Sequence, residues 1–357
     1  MPLLTTLRAI IAAEGPIGID RYMSLCLTDP EDGYYTTRDP LGRAGDFITA
    51  PEISQIFGEL IGLWTAAIWQ QLGSPGAFRL IELGPGRGTL MMDALRALNV
   101  LPACRAAAAI DLVEISPILM RQQQETLTRH HPDLTIAWHT TLDAVPDDMP
   151  TIIIANEFFD ALPIRQWVYR AGCWRERCVA LDGAGLKFIE TSRDDTPDRP
   201  GAAEGAIMET SAAATATAKD IGYRLGRSGG ACLVIDYGHC DAGIGDSLQA
   251  VSRHGYAPIL DNPGTADLTA HVDFAGLARA FAATGLDIHG PVTQGRWLGE
   301  LGAGKRAERL MAGRDHAAMS MISQGLRRLI DPMAMGSLFK VMAASSNDLG
   351  PLPGFTA

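Results

Sequence analysis

The sequence predicts an α/β fold: a doubly wound, mostly parallel sheet with an N-terminal helical segment and β-hairpin and helical insertions. Three observations predict it. The run Leu80-Ile81-Glu82-Leu83-Gly84-Pro85-Gly86-Arg87-Gly88-Thr89-Leu90 reads as a strand, a tight glycine turn and the start of a helix. The near-continuous apolar runs 151–155 and 231–235 suit parallel strands buried on both faces. From residue 78 onward strands alternate with helical patterns, and right-handed crossovers then place ligands at the carboxyl ends of the strands.

Taken in order, residues 3–13 and 17–27 read as two short helices, with Leu3, Leu4, Leu7, Ile10 and Ile11 at helical spacing. Asp29-Pro30-Glu31-Asp32-Gly33 breaks the second. A polar, glycine-bearing loop runs to Glu52, and its part 42–52 stands where a loop can order over a cofactor. Thr49 and Glu52 have capping-box spacing before a helix that buries Ile53, Ile56, Phe57, Leu60, Ile61, Trp64 and Ile68. Strands are expected at 78–83, 109–114, 134–138, 151–155 and 231–235, with helices over 88–99 and from the Ser116-Pro117 signal. Short alternating runs in 164–190 predict antiparallel hairpins, and 191–201 reads as a polar linker. An Ala/Thr-rich helix is expected over 202–226 and a long loop over 238–270. Segments 286–292 and 337–343 read as closing strands, and 301–329 as largely helical. The expected organisation is an N-terminal helical and lid segment, 1–75, before one cofactor-binding domain, 76–357, with insertions at 164–201 and 238–270.

With 357 residues, 47% of them hydrophobic and 20% charged, the chain can build a sizeable core. A net charge of −11 argues against general nucleic-acid or anionic-membrane binding, because no basic field attracts phosphates. No stretch approaches the ~20 apolar residues of a membrane span, and the N-terminus lacks the pattern of a secretory signal. The six scattered cysteines read as reduced thiols, which leads to the expectation of a cytoplasmic protein. No compact ligand spacing supports a metal.

The chemistry gathers at strand ends. A carboxylate at Glu82, just before the first glycine, repels a pyrophosphate but suits a cationic amino group. The spacing E-x-G-x-G-x-G, Glu82 to Gly88, resembles motif I of class I S-adenosylmethionine (SAM)-dependent methyltransferases, and SAM carries an α-amino group, a sulfonium and no phosphate. Gly84, Gly86 and Gly88 let backbone approach the cofactor, and Glu114, ending the next strand, can accept both ribose hydroxyl protons. Asn156-Glu157-Phe158-Phe159-Asp160 ends the fourth strand, with carboxylates suited to a guanidinium's planar fork; helix capping by Asn156 or Asp160 is the plainer alternative. His239 and His271 are each a candidate general base or a loop anchor.

Several stretches together resemble the MidA family over nearly the whole chain: 45–54, Phe57-Gly58-Glu59, 82–90, Val113-Glu114-Ile115-Ser116-Pro117, 155–163, Asp236-Tyr237-Gly238-His239 and His271-Val272-Asp273-Phe274. The resemblance implies a Rossmann-like class I SAM-dependent methyltransferase, with Gly45, Asp46, Thr49, Ile115 and Asn156 joining the cofactor residues. The family includes bacterial proteins and a mitochondrial assembly factor of respiratory complex I that is a protein arginine N-methyltransferase. The implied partner is therefore a protein substrate, a subunit of the cell's own NADH dehydrogenase. General protein arginine methyltransferases use two glutamates after the fourth strand. Glu157 matches the first; Gln166 stands near the second, with Asp160 as its substitute. The proton then leaves through a carboxylate or His239. An NAD-dependent oxidoreductase is a weaker match, because the third glycine comes one residue early. A non-catalytic assembly chaperone is the third reading.

Overall fold

The computed structural model describes residues 2–37, 49–197, 201–241, 243–252 and 255–355. The chain divides into two compact units, each gathered from three segments: Met1–Phe47, Asp160–Thr217 and His239–Gly276 form one, and Ile48–Phe159, Ala218–Gly238 and Leu277–Ala357 the other.

The larger unit holds the sheet. Its elements are α1 (Ala50–Ile53), α2 (Gln55–Gln71), β1 (Phe78–Leu83), α3 (Thr89–Ala97), β2 (Ala108–Val113), α4 (Pro117–His130), β3 (Ile136–His139), β4 (Thr151–Asn156), β5 (Gly230–His239), β6 (Asp287–Thr293) and β7 (Phe339–Ser345). The strand order is β6-β7-β5-β4-β1-β2-β3. Pairings from β5 through β3 are parallel, with Leu83 opposite both Ala155 and Val113. β7 and β6 add antiparallel at one edge, as the closing segments predicted. The chain leaves β1 toward β2 and β3 on one side and returns to β4 and β5 on the other. The switch point, where such sheets bind ligands, therefore lies between β1 and β4.

Every residue of β1 and of β4 is buried, which suits the apolar run Ile152-Ile153-Ile154-Ala155 of β4, while β1 also buries the charged Arg79 and Glu82. The core takes Leu80, Ile110, Ile152, Ile154 and Leu233 from the strands and Phe57, Leu60, Trp64, Leu90 and Leu95 from the helices. Helices α2 and α3 cross closely: a side chain at Gly62 would stand 2.4 Å from the Ala94 carbonyl oxygen. The capping box expected at Thr49 does not form. Thr49 makes no side-chain cap, and Glu52 instead accepts a hydrogen bond from the Thr89 hydroxyl. The single helix expected after Thr49 is two helices, broken at Ser54, whose extended backbone lets its hydroxyl cap α2 at the Ile56 N–H.

The smaller unit carries the N-terminal helices Pro2–Glu14 and Ile19–Thr28 and the antiparallel strands Arg165–Arg170, Cys173–Asp182, Gly185–Thr191 and Ile207–Thr210. Leu3, Leu7, Ile19, Tyr22 and Tyr34 pack there with Ile164, Val179 and Leu268. Two expectations change. Residues 207–210 form a strand, because pairing with Arg165–Val168 overrides local helical composition, and the helix starts only at Ala212. The expected long loop 238–270 contains a small sheet of Gln249–Ser252, Gly255–Ala257 and Asp267–Thr269.

Candidate functional site

At the end of β1 the chain turns through three left-handed glycines, Gly84 (φ 62°), Gly86 (φ 54°) and Gly88 (φ 78°). Any L side chain here is strained by about 1–2 kcal/mol. At Gly84 it would also crowd the Phe158 ring, 3.1 Å from the added carbon. The turn is pinned by the Gly84 N–H donating to the Val113 carbonyl (3.0 Å) and the Gly88 N–H to the Pro85 carbonyl (2.8 Å). Gly88 is then the N-terminal flank of α3, whose first N–H groups have no intrahelical acceptor.

Two buried carboxylates flank this turn. Glu82 is 2% exposed, and its Oε2 has no hydrogen-bond partner among the described residues. Burial, with the Glu114 charge adding to it, lifts its carboxyl to about 8. Glu114, also buried, accepts from the Ser116 N–H (2.8 Å) and from Gln123 Nε2 (3.1 Å). Burial still raises it to about 7 against the pull of those donors. Ile115, next in the chain, is exposed.

At the end of β4, Glu157 adopts φ 49°, a left-handed conformation that costs a non-glycine residue free energy and collects at functional sites. Its N–H is held by the Ile235 carbonyl (2.9 Å), and its Oε1 accepts from the Ala50 N–H (3.0 Å) and from Asn156 Nδ2 (3.3 Å). The following backbone is clamped by Asp236, which is fully buried: its Oδ2 accepts from the N–H groups of Phe158 (3.2 Å) and Phe159 (3.0 Å), and its Oδ1 from Tyr237 (2.9 Å). The Phe158 and Phe159 rings meet edge to face.

The larger unit thus brings together Glu82, Gly84, Gly86, Gly88, Glu114, Asn156 and Glu157, with Thr49 just before α1. Gly45 and Asp46 lie outside the described residues. Asp160 and His239 belong to the smaller unit, as does His271. There the Asp160 carbonyl accepts from the Ala270 N–H (3.0 Å), His239 Nδ1 contacts the Asp241 carbonyl, and the His271 N–H donates to Ser247 Oγ (2.8 Å). Gln166 is buried and its amide is engaged at both ends. It donates to Glu209 (2.7 Å) and Asp246 (2.8 Å) and accepts from Arg177 (3.0 Å).

Two contributors were absent from the sequence motifs, Gln123 and Trp138, and Asp236 stood in one without its clamping role being apparent. Gln123 had left a signal, a polar residue inside the buried stripe Leu119, Gln123, Leu127 of α4.

Residues 60–292 match the model of a family described as "Putative S-adenosyl-L-methionine-dependent methyltransferase". Curated relatives include "Protein arginine methyltransferase NDUFAF7 homolog, mitochondrial" of Drosophila melanogaster, 37% identical over 99% of this chain and 88% of that protein. The Homo sapiens "Protein arginine methyltransferase NDUFAF7, mitochondrial" is 35% identical over 96% and 83%. Among solved structures, a Burkholderia thailandensis protein crystallised with S-adenosyl-homocysteine superposes with a TM-score of 0.86 at 29% identity, covering 100% of this chain and 94% of that one. The two NDUFAF7 relatives correct one expectation: they are named as mitochondrial, which overturns the cytoplasmic assignment. The cysteines are indeed free, but reduced thiols report a reducing environment and are not an address.

Proposed function

This chain belongs to the family of SAM-dependent methyltransferases that includes those mitochondrial protein arginine methyltransferases, and on that premise we propose that it transfers the SAM methyl group to an arginine side chain of a protein, a subunit of NADH dehydrogenase. The observation that carries the reading is the pairing of a left-handed glycine turn with a buried carboxylate whose Oε2 lacks a partner, at the switch point of the sheet.

The residues fit SAM. Glu82 would hold the cofactor's amino group, whose N–H donors and positive charge complement the Oε2 that has no partner among the described residues. Glu114 accepts the ribose hydroxyls, Ile115 and Asn156 line the cofactor, and Gly84, Gly86 and Gly88 admit it against bare backbone. Thr49, just before α1, would stand beside them. When bound, SAM supplies an electrophilic methyl on its sulfonium.

The acceptor is the harder partner, because a guanidinium is protonated at neutral pH and has no free lone pair. Glu157 would orient it and draw its positive charge toward the nitrogens that do not react, leaving the reacting nitrogen free to meet the methyl. The proton would leave after transfer, through a carboxylate. Fixed in its left-handed conformation by the backbone around it, Glu157 presents its carboxylate without reorganisation.

The test is transfer of tritiated SAM into a lysate of source cells lacking this protein, read by gel autoradiography, with wild type beside Glu157→Gln. The amide keeps an oxygen for the Ala50 N–H, so the fold and SAM affinity should persist while labelling falls by orders of magnitude. Labelling should fall on an NADH dehydrogenase subunit at arginine. Full activity of Glu157→Gln removes it from the acceptor site; label on lysine, or on no protein, overturns the reading.

A further inference from the structure

Gln123 sits on α4, one helical turn beyond Leu119, and is completely buried. Its side chain reaches three different elements. Nε2 donates to the Gly86 carbonyl (2.7 Å) and to Glu114 Oε2 (3.1 Å), and Oε1 accepts from Trp138 Nε1 on β3 (2.9 Å). The amide orientation is forced: an indole can only donate and a carbonyl can only accept, so the reverse placement would lose both bonds. A carbon added at Gly88 would stand 3.5 Å from the Gln123 Cα, so α4 lies in contact with the glycine turn here.

Both N–H bonds of this amide are spent on protein acceptors. Gln123 therefore has no donor left for a ligand and acts through the groups it holds. We propose that Gln123 is the positioning residue of the cofactor site, locking the glycine turn and the Glu114 carboxylate into one rigid frame spaced to receive the ribose diol of an adenosine. The inference rests on the ribose role of Glu114 given above.

The frame has an electrostatic side. The Gln123 N–H favours the ionised form of Glu114 against burial, and the Glu114 charge in turn raises the neighbouring Glu82. An ionised carboxylate has acceptor sites for two hydroxyls; a protonated one has turned part of that capacity into a donor. Removing the Gln123 donor should therefore weaken binding and move its pH dependence upward.

The experiment is calorimetric titration of S-adenosyl-homocysteine into the full-length protein between pH 6 and 9, for wild type, Gln123→Met, Gln123→Glu, Glu114→Ala and the double variant Glu114→Ala/Gln123→Met. Gln123→Met keeps the length and removes the polar atoms; it should weaken binding at least tenfold and shift the pH midpoint of binding upward. In the Glu114→Ala background the same change should cost far less, because the partner it positions is gone. Gln123→Glu keeps the shape but donates only while it carries a proton, so its affinity should fall as pH rises, opposite to wild type. It also serves as the second probe should Gln123→Met not fold. Equal losses in both backgrounds with an unmoved midpoint would mean that Gln123 merely supports the fold, and would overturn the inference while sparing the ribose role of Glu114. Unchanged affinity in Glu114→Ala would bring down that role and the inference with it.

Discussion

At the residue scale, the two carboxylates beside the glycine turn carry the most testable physics. Glu82 titrates near 8 and Glu114 near 7, both raised mainly by burial, whereas a glutamate in the unfolded chain titrates near 4.5. The folded protein thus holds more protons than the unfolded chain between about pH 4.5 and 8. Stability without ligand should fall as pH rises through that window, by about 1.4 kcal/mol per pH unit for each proton of difference. Histidines depressed by burial, His131 and His289, act in the opposite sense only below their ordinary range, so the decline should be cleanest from pH 6.5 to 8. An ammonium brought to Glu82 favours its ionised form, so cofactor binding at pH 7 should release close to one proton. Titrations in buffers of different ionisation enthalpy would read it, and zero release would remove Glu82 from the amino-group site. Glu82, Glu114 and the three glycines were legible because they are consecutive in one motif or sit at the end of an apolar run. Gln123 was not, since its meaning comes from Gly86 and Trp138, thirty-seven and fifteen positions away.

At the element scale, strands announced themselves wherever burial on both faces made the sequence nearly continuously apolar, as at 151–155 in β4 and 231–235 in β5. The strand Ile207–Thr210 did not, because Glu209 and its neighbours are held by pairing partners from Arg165–Val168, and composition favoured a helix. The break at Ser54 was hidden for a similar reason: Pro51 and Glu52 promise one helix, yet Glu52 is spent on Thr89 and the chain restarts with its own cap. The turn after β4 depends on a clamp from β5. Asp236→Asn would set an NH₂ group against at least one of three N–H donors. It should cost about 1–3 kcal/mol of stability, measured by urea denaturation. Methyl transfer should drop further than affinity for S-adenosyl-homocysteine, since the loosened segment carries Glu157 and not the glycine turn. Equal losses in both would mean that the clamp serves the cofactor side.

On the scale of the whole molecule, the sheet topology followed from the order of apolar runs and glycine punctuation. The division into two units, each gathered from three segments, did not, because composition does not shift at Phe47, Phe159 or Gly238 where the chain passes from one to the other. The buried carboxylate at Glu82 also reaches beyond the site. A ligand that binds only the folded state adds stability of RT ln(1 + [L]/Kd), and here it meets a buried carboxylate oxygen with no partner among the described residues. The fraction of chains transiently open to proteases should then follow the supply of methyl donor. In a pulse-chase, this protein should decay faster in methionine-starved cells than in fed ones, and Glu82→Gln, which cannot ionise to meet the cofactor's amino group, should narrow the difference. The cell would keep its methyltransferase in step with the methyl groups it has to spend, through turnover alone.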